Sequence, residues 1–221
     1  MLLPRYYFSD EFSDFKPMFD RYAVREQIYE EKEQIMAYDR SYSVFYIEKG
    51  KAQVAVSHEN GKQHILMFFG PGSLFPLRCT NQTYYLESSI IFSAMTECIV
   101  LEIPASSVEQ MIMENPRFGV ACVDHYSRFG NFLFYRTTSF STEDGMTRTC
   151  NFLYLYGLYD RECRDIVPFS QTEIAEIVGV SRIQITRLFS ELRNLGIIRT
   201  NVKYTKILDR DRLLQMCSDF A

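Results

Sequence analysis

The stretch VGVSRIQITR, residues 178–187, holds side chains with the chemistry of nucleic-acid recognition. At about 100° per residue, a helix through it places four of them on one face: Arg182, Ile183, Thr186 and Arg187. Guanidinium and hydroxyl groups hydrogen-bond to base edges in a DNA major groove, and an aliphatic side chain contacts the methyl group of thymine. The face therefore predicts contact with a duplex, which would also explain an isoleucine among polar neighbours.

Two capping patterns and a glycine around this stretch predict a helix-turn-helix. Ser170 and Glu173 have the spacing of a capping box at the start of a first helix, and Ser181 and Gln184 repeat it for a second. Gly179, between the two helices, can adopt the positive φ that a sharp turn needs. The alternative is a helical hairpin of an unrelated bundle, with its arginines merely solvated.

The second helix also has an apolar side. With Arg182 at 0°, three residues lie between about 240° and 300°: Ile185, Leu188 and Leu192. Ile183 lies at about 100°, on the opposite side of the helix. It is therefore not predicted to be a core residue, and Gly196 is predicted to end the helix.

A hairpin rich in basic residues is predicted downstream, in IIRTNVKYTKIL. Its two β-like runs flank a polar turn, and Arg199, Lys203 and Lys206 suit contacts with phosphates, as in a winged helix. The whole chain has a net charge of −4, but residues 181–206 hold six basic side chains against Glu191 alone, which indicates a polyanion bound at one end. The alternative is a hairpin that only forms a domain edge. The predicted DNA-contacting residues are Thr172, Ser181, Arg182, Ile183, Gln184, Thr186, Arg187 and Lys203.

Residues 43–103 have the pattern of a small β-barrel or sandwich. Short runs such as KAQVAV alternate with the two-residue period of a half-buried strand, and turn signals separate them. Asn60–Gly61 between two apolar runs predicts a hairpin. Hydrophobic residues make up 47% of the 221 and charged residues 24%, which is ordinary for a globular protein.

A long helix is predicted to begin at Pro116, because Asn115 suits the N-cap and proline suits the first turn. The helix carries two stripes on roughly opposite sides. One stripe is Phe118, Cys122, His125, Phe129 and Phe132, and the other is Val120, Val123, Ser127, Gly130 and Phe134. Each apolar side of a helix is normally buried against another element, so this helix needs two packing partners. We expect these to be the barrel and the same helix of a second subunit, the alternative being burial within one chain.

A β-rich domain, a long two-sided helix and a winged helix-turn-helix together resemble the CRP/FNR family of bacterial transcription regulators. The most specific part is VGVSRIQITRLFSELRNLGII, and the family's β-domain glycines correspond to Gly50, Gly61, Gly70 and Gly72. The resemblance implies an α+β protein with an N-terminal jelly-roll effector domain (1–114), a dimerisation helix (115–140) and a C-terminal winged helix-turn-helix (141–221). It also implies a homodimer on a palindromic promoter site, with RNA polymerase as a further partner.

The sequence departs from the family members that bind cyclic AMP. Those members carry a Gly-Glu pair and an Arg-Ser pair, whose glutamate and arginine hold the ribose and the phosphate. Here Pro76 and Leu77 stand at the first pair, and Ser88-Ser89 at the second. A phosphate buried without a cation is costly, so we expect an effector other than cyclic AMP, although Arg78 could reach back. The candidate effector-pocket residues are Leu74, Leu77, Arg78, Tyr85, Ser88 and Tyr126.

The cysteines and histidines argue against metal cofactors. Iron–sulfur members of the family need clustered cysteines near the N-terminus, and the first cysteine here is Cys79. Haem-sensing members use a histidine or cysteine ligand, but His58, His64 and His125 are single histidines, which more often lie at the surface or in the core. We therefore expect no iron–sulfur cluster, haem or other metal. Three possibilities remain for the effector: another small molecule, a redox input, or no effector at all.

The recognition helix departs from the family as well. Members that read a guanine-containing half-site carry a glutamate just after the position of Arg182, where this chain has Ile183. Glutamate accepts a hydrogen bond from cytosine, and isoleucine cannot. We therefore expect a half-site richer in A·T pairs, with Arg187 on a guanine or a phosphate.

These observations predict a homodimeric, sequence-specific DNA-binding transcription regulator of the cytoplasm rather than an enzyme. A cupin-like enzyme would need two neighbouring histidines, a further histidine and a carboxylate, and the three histidines here are not so placed. The other alternative is a sensor or adaptor that does not bind DNA. No apolar run reaches the roughly 18 residues of a membrane span, and the N-terminus lacks a signal-peptide core, so no membrane association is expected.

Overall fold

The computed structural model describes residues 3–36, 42–57, 63–78, 90–160 and 164–218. These residues form two compact units. One runs from Tyr7 to Ser127, and the other combines the described residues before Tyr7 with those after Ser127. Several sequence predictions concern residues outside the described ranges: the Asn60–Gly61 turn and the roles considered for His58, Cys79, Tyr85, Ser88 and Ser89.

The first unit is mostly β-structure. Its strands are β1 (Tyr7–Phe8), β2 (Arg25–Tyr29), β3 (Gln34–Met36), β4 (Ser43–Lys49), β5 (Ala52–Ser57), β6 (Gln63–Phe69), β7 (Ser73–Phe75), β8 (Ile90–Ala94) and β9 (Cys98–Pro104). The described residues of this unit also form the α-helices α1 (Lys16–Tyr22) and α2 (Val108–Glu114) and the 3₁₀ turns Ser13–Phe15 and Ala105–Ser107. One sheet has the order β1-β6-β5-β8-β3 and the other β2-β9-β4-β7.

The two sheets pack against each other through phenylalanine rings. Phe75 of one sheet lies with its ring centroid 5.0 Å from those of both Phe69 and Phe92 in the other sheet. Phe45 and Phe92 make a further contact at 6.3 Å. Apolar runs predicted the strands that carry Phe45, Phe69 and Phe92, but not β7, which carries Phe75. The β-rich N-terminal fold expected from the sequence is confirmed.

The N-terminal residues of this unit join one of its sheets to its long helix. β1 pairs in parallel with β6, and the neighbouring Glu11 reaches the long helix α3 (Pro116–Thr142). There Oε2 of Glu11 lies 2.6 Å from Nδ1 of His125, and both side chains are only 3% exposed. A buried carboxylate needs such a partner because an unpaired charge in the interior is very costly. The His125 ring therefore has a structural partner within its own unit.

Helix α3 presents two different sides, as the sequence predicted. Phe118, Cys122, His125 and Phe132 are buried, and Phe129 is half-buried. On the opposite side Val120, Val123 and Phe134 are 64%, 66% and 77% exposed. The first stripe thus packs inside the chain, whereas the second is left on the surface.

The second unit is mainly helical. Besides the C-terminal part of α3 it contains α4 (Gly145–Tyr159), β10 (Ile166–Val167), α5 (Gln171–Val178), α6 (Arg182–Asn194), β11 (Ile198–Thr200), β12 (Thr205–Ile207) and α7 (Arg210–Gln215). The three strands form an antiparallel sheet in the order β10-β12-β11. In the part of the chain that the structure covers, no helix is both long and apolar enough to cross a membrane.

Two glycines with positive φ end the helices of the predicted helix-turn-helix. Gly179 follows α5 with a φ of 68°, and Gly196 lies just beyond α6 with a φ of 72°. A Cβ at Gly179 would lie 2.4 Å from Cε1 of Phe140, whereas a Cβ at Gly196 would meet no described atom within 4 Å. The two positions thus share a backbone conformation and differ in available space.

Replacing each glycine by alanine should separate the cost of a positive φ from the cost of a steric clash. Gly196→Ala should cost about 1 kcal/mol of unfolding free energy, the strain of an L-residue with positive φ. Gly179→Ala should cost at least about 1 kcal/mol more, because its methyl group also meets the Phe140 ring. Urea denaturation followed by circular dichroism measures both variants. Equal losses would show that the Phe140 contact has no energetic weight.

Candidate nucleic-acid interface

Helix α6 exposes the side that the sequence predicted to recognise DNA. Arg182, Ile183, Thr186 and Arg187 are all exposed, and Ile183 is 77% exposed. On the opposite side Ile185, Phe189 and Leu192 are fully buried. Leu188, which the sequence predicts in this core, is only half-buried, and Phe189, at the other edge of the apolar side, is buried instead.

The start of α6 is fixed by a complete capping box. Oγ of Ser181 accepts a hydrogen bond from the backbone N–H of Gln184 at 3.2 Å, and Oε1 of Gln184 accepts one from the N–H of Ser181 at 2.9 Å. Both side chains therefore hold the first turn of the helix, in addition to any contact with DNA. This arrangement sets where the helix begins and hence which residues form its first turn, the part predicted to contact DNA.

The hydroxyl of Thr186 also has an internal partner. Its Oγ1 donates to the carbonyl oxygen of Arg182 at 2.9 Å. With its proton committed to the helix, the hydroxyl is disposed to act toward a base as an acceptor. Thr186 would then suit an amino group of adenine or cytosine, while the guanidinium groups of Arg182 and Arg187 suit acceptors.

The first helix of the motif, α5, begins with a second capping box. Oγ of Ser170 accepts from the N–H of Glu173 at 3.3 Å, and Oε2 of Glu173 accepts from the N–H of Ser170 at 2.7 Å. Thr172 lies exposed in this first turn, as the predicted contact requires. Ile174 and Val178 are buried, so α5 packs on the rest of its unit through its apolar side.

The predicted wing is formed by β11 and β12, and its basic residues lie on one exposed face. Arg199 is directly opposite Lys206 in the strand register, and both are exposed. Like charges opposite each other destabilise a pair of strands, so an anion on this face would relieve the repulsion. Lys203 is exposed between the two strands. The wing thus places three cations where phosphates could approach.

One contact missed by the sequence reasoning ties the wing to α6. Nη1 of Arg193 donates to Oγ1 of Thr200 at 3.2 Å, joining the last turn of α6 to β11. In the sequence, Arg193 is distinguished only as one of the six basic side chains of residues 181–206. Its spacing from Thr200 carries no periodic signal that would have revealed the contact.

The candidate effector-pocket residues that are described lie in the first unit. Leu74, Leu77 and Arg78 are buried, with Arg78 only 6% exposed. The Tyr126 hydroxyl donates to the carbonyl oxygen of Leu77, which brings α3 to this segment. Tyr85 and Ser88 fall outside the described ranges. Among the residues that are described, no three His, Cys, Asp or Glu side chains are grouped to bind a metal ion.

Two family models match the two parts of the chain. The cyclic nucleotide-binding domain matches residues 26–115, and the Crp-like helix-turn-helix domain matches residues 147–216. An effector-type β-domain followed by a helix-turn-helix defines a class of two-domain transcription regulators. On these two matches together, the chain belongs to the CRP/FNR family, and the resemblance read from its sequence is confirmed.

Solved structures of other proteins share this fold. A CooA mutant from Carboxydothermus hydrogenoformans aligns with a TM-score of 0.73, covering 94% of this chain and 99% of its own at 16% identity. CLP from Xanthomonas campestris aligns with a TM-score of 0.72 over 89% of this chain and 99% of its own at 16% identity. FixK2 from Bradyrhizobium japonicum gives 0.70 over 89% and 98% at 18% identity. No curated protein sequence matches the chain significantly.

The exposure of Ile183 predicts the base that this side chain reads. Selection of binding sites from random duplexes should yield an A·T pair opposite Ile183, because an aliphatic group contacts the thymine methyl and forms no hydrogen bond. Ile183→Glu should shift the selected pair toward G·C, since glutamate accepts from the amino group of cytosine. A G·C pair selected opposite Ile183 by the unmodified protein would contradict this assignment.

Proposed function

We propose that the protein is a homodimeric transcription regulator that binds a palindromic DNA site through α6 and the β11–β12 wing. The observation that carries the proposal is the 77% exposure of Ile183 between arginines on a helix whose opposite side buries Ile185 and Leu192. An aliphatic side chain gains nothing from facing water. Against a major groove it meets thymine methyl groups while its neighbours meet hydrogen-bonding base edges.

The charge distribution supports the same partner. Residues 181–206 carry six basic side chains and one acidic one, within a chain of net charge −4. The cations are divided between the groove-facing helix and the wing, which is the arrangement that separates base reading from phosphate contact. Neither the cupin-like enzyme nor the adaptor alternative accounts for cations concentrated at this end.

A salt titration of duplex affinity tests the proposal. The affinity should fall steeply as salt rises, because each neutralised phosphate releases counterions. Lys203→Ala should reduce the slope of log affinity against log salt by about 1, since one phosphate contact is lost. The control is Lys32→Ala, which removes another exposed cation (side chain 87% exposed) from the first unit and should leave the slope unchanged. Fluorescence anisotropy gives the slopes. Absence of duplex binding by the unmodified protein would favour the adaptor alternative.

The exposed stripe of α3 supports a homodimer. Val120, Val123, Ser127, Gly130 and Phe134 are spaced alternately by three and four residues. This is the spacing of the a and d positions that face a partner helix in a coiled coil. Because every copy of the chain carries the same stripe, a two-fold pair of α3 helices would cover both stripes at once.

A glutamate in the stripe should break the dimer. Val123→Glu would place a charge in the apolar seam, and an uncompensated buried charge costs several kcal/mol, enough to raise the dimer dissociation constant roughly a hundredfold or more. Val24→Glu is the matched control, because Val24 is 67% exposed against 66% for Val123 and lies beside β2. Analytical ultracentrifugation measures both variants. A Val123→Glu protein that remains dimeric would place the interface elsewhere.

We also propose that the first unit senses a small molecule other than cyclic AMP. Pro76 and Leu77 occupy the positions of the nucleotide-binding Gly-Glu pair. Structures with this fold are described with different ligands, such as OCPA in CprK, so the fold does not fix the ligand. A redox input through three of the thiols is disfavoured, because burial raises the pKa of Cys98 and Cys217, and that of Cys150 to about 12. Protonated thiols are poor nucleophiles.

A further inference from the structure

The turn between α5 and α6 is held by two arginines from outside the helix-turn-helix. Nη2 of Arg136 donates to the carbonyl oxygen of Ile177 at 2.9 Å, and Nε of Arg148 donates to that of Val178 at 2.9 Å. These are the last two residues of α5. Carbonyls in the last turn of a helix lack intrahelical partners and attract cations. The two arginines thus fasten the end of α5 immediately before Gly179.

Phe140 completes this contact. The guanidinium carbon of Arg136 lies 4.7 Å from the Phe140 ring centroid, and that of Arg148 lies 5.3 Å from it. A Cβ at Gly179 would lie 2.4 Å from Cε1 of the same ring, so the ring would have to shift to admit a side chain there. The end of α3, the start of α4 and the turn of the motif therefore meet at one aromatic ring. We call Arg136, Phe140 and Arg148 the turn clamp.

Tyr6 fixes the other side of Arg136. Nη1 of Arg136 donates to the Tyr6 hydroxyl at 3.0 Å, and Tyr6 is only 2% exposed. The Tyr6 ring meets Phe132 and Phe152 edge to face, each at 5.0 Å. Arg136 itself is 7% exposed, so DNA in solution has little access to it. One planar guanidinium therefore joins the N-terminal segment, α3 and α5.

We propose that Arg136, oriented by Tyr6, is a positioning residue that sets the direction of α6 relative to α3. Through α3 it would fix the separation of the two recognition helices in the dimer, so the inference rests on the proposed function. Arg136 lies two residues beyond Phe134, the last apolar residue of the exposed stripe. The planar guanidinium of Arg136 binds a carbonyl and a hydroxyl at once and also stacks on an aromatic ring. It can therefore fix the orientation of α5 relative to α3, whereas a flexible lysine ammonium cannot.

The test compares Arg136→Lys with Arg210→Lys. Arg210 makes contacts of the same kind elsewhere in the unit: it donates to the carbonyl oxygens of Arg164 and Tyr154 at 2.9 and 3.0 Å and lies 4.7 Å from the Tyr154 ring centroid. Tyr6→Phe is a milder second variant, since it removes only the hydroxyl that accepts from Arg136. The DNA probes are a duplex selected with the unmodified protein and the same duplex with one half-site scrambled.

Arg136→Lys should bind the full site about tenfold more weakly, the effect of losing a hydrogen bond to a charged group. Its affinity for the single half-site should change by less than about threefold, because only the full site demands a fixed separation of two helices. The salt slope should stay unchanged, since no phosphate contact is lost. Tyr6→Phe should also weaken binding to the full site more than to the half-site, but by a smaller factor. Arg210→Lys should leave the affinity for both duplexes unchanged.

Equal losses on the full site and the half-site would reduce Arg136 to a purely structural role and overturn the proposal. A full-site loss of the same size in Arg210→Lys would do so as well, because it would show that any loosening of the unit suffices. If the unmodified protein binds no duplex, the proposed function itself fails and this inference fails with it. Thermal unfolding of each variant establishes that the comparison is made on folded protein.

Discussion

The rotation of α6 about its own axis is the constraint on which the recognition surface depends. Ile185, Phe189 and Leu192 are fully buried, and burial of a large apolar side chain contributes about 1.5–3 kcal/mol. The helix therefore cannot turn without exposing them, and this fixes Ile183 outward. In the free protein that exposure brings no benefit. It becomes favourable only when an apolar group of a partner covers the side chain, as a thymine methyl would.

In helix α3, too, the buried side determines which residues face outward, but the outward side suits a different partner. Burial of Phe118 and Phe132 fixes one side inward and leaves Val120 and Val123 outward. The outward side of α3 repeats regularly along the helix and is largely apolar, so its natural complement is another helix with the same repeat. The outward side of α6 is short and mixes donors with one aliphatic group. Its complement is a surface that offers acceptors and methyl groups at fixed spacings, as base edges do.

Periodic features were predictable from the sequence, and contacts between distant residues were not. The capping boxes at Ser170 and Ser181 and the strands β4, β5, β6, β8 and β9 follow from local spacing, and the structure has them. The edge of the α6 core was misplaced by one residue, because Leu188 and Phe189 lie at opposite limits of the same apolar arc. The pairs Glu11–His125 and Tyr6–Arg136 join residues 114 and 130 positions apart, and neither shows a local pattern.

The distribution of charge also determines how a duplex would approach. The chain has a net charge of −4 although residues 181–206 hold six basic side chains against one acidic, so acidic side chains dominate elsewhere. The balance of charge therefore favours binding of a polyanion at residues 181–206 over the rest of the chain. Arg199 and Lys206 face each other on the wing and add to this attraction. Long-range steering would then bring the duplex to residues 181–206, where the wing suits phosphates and the shorter-ranged contacts of α6 would select the sequence.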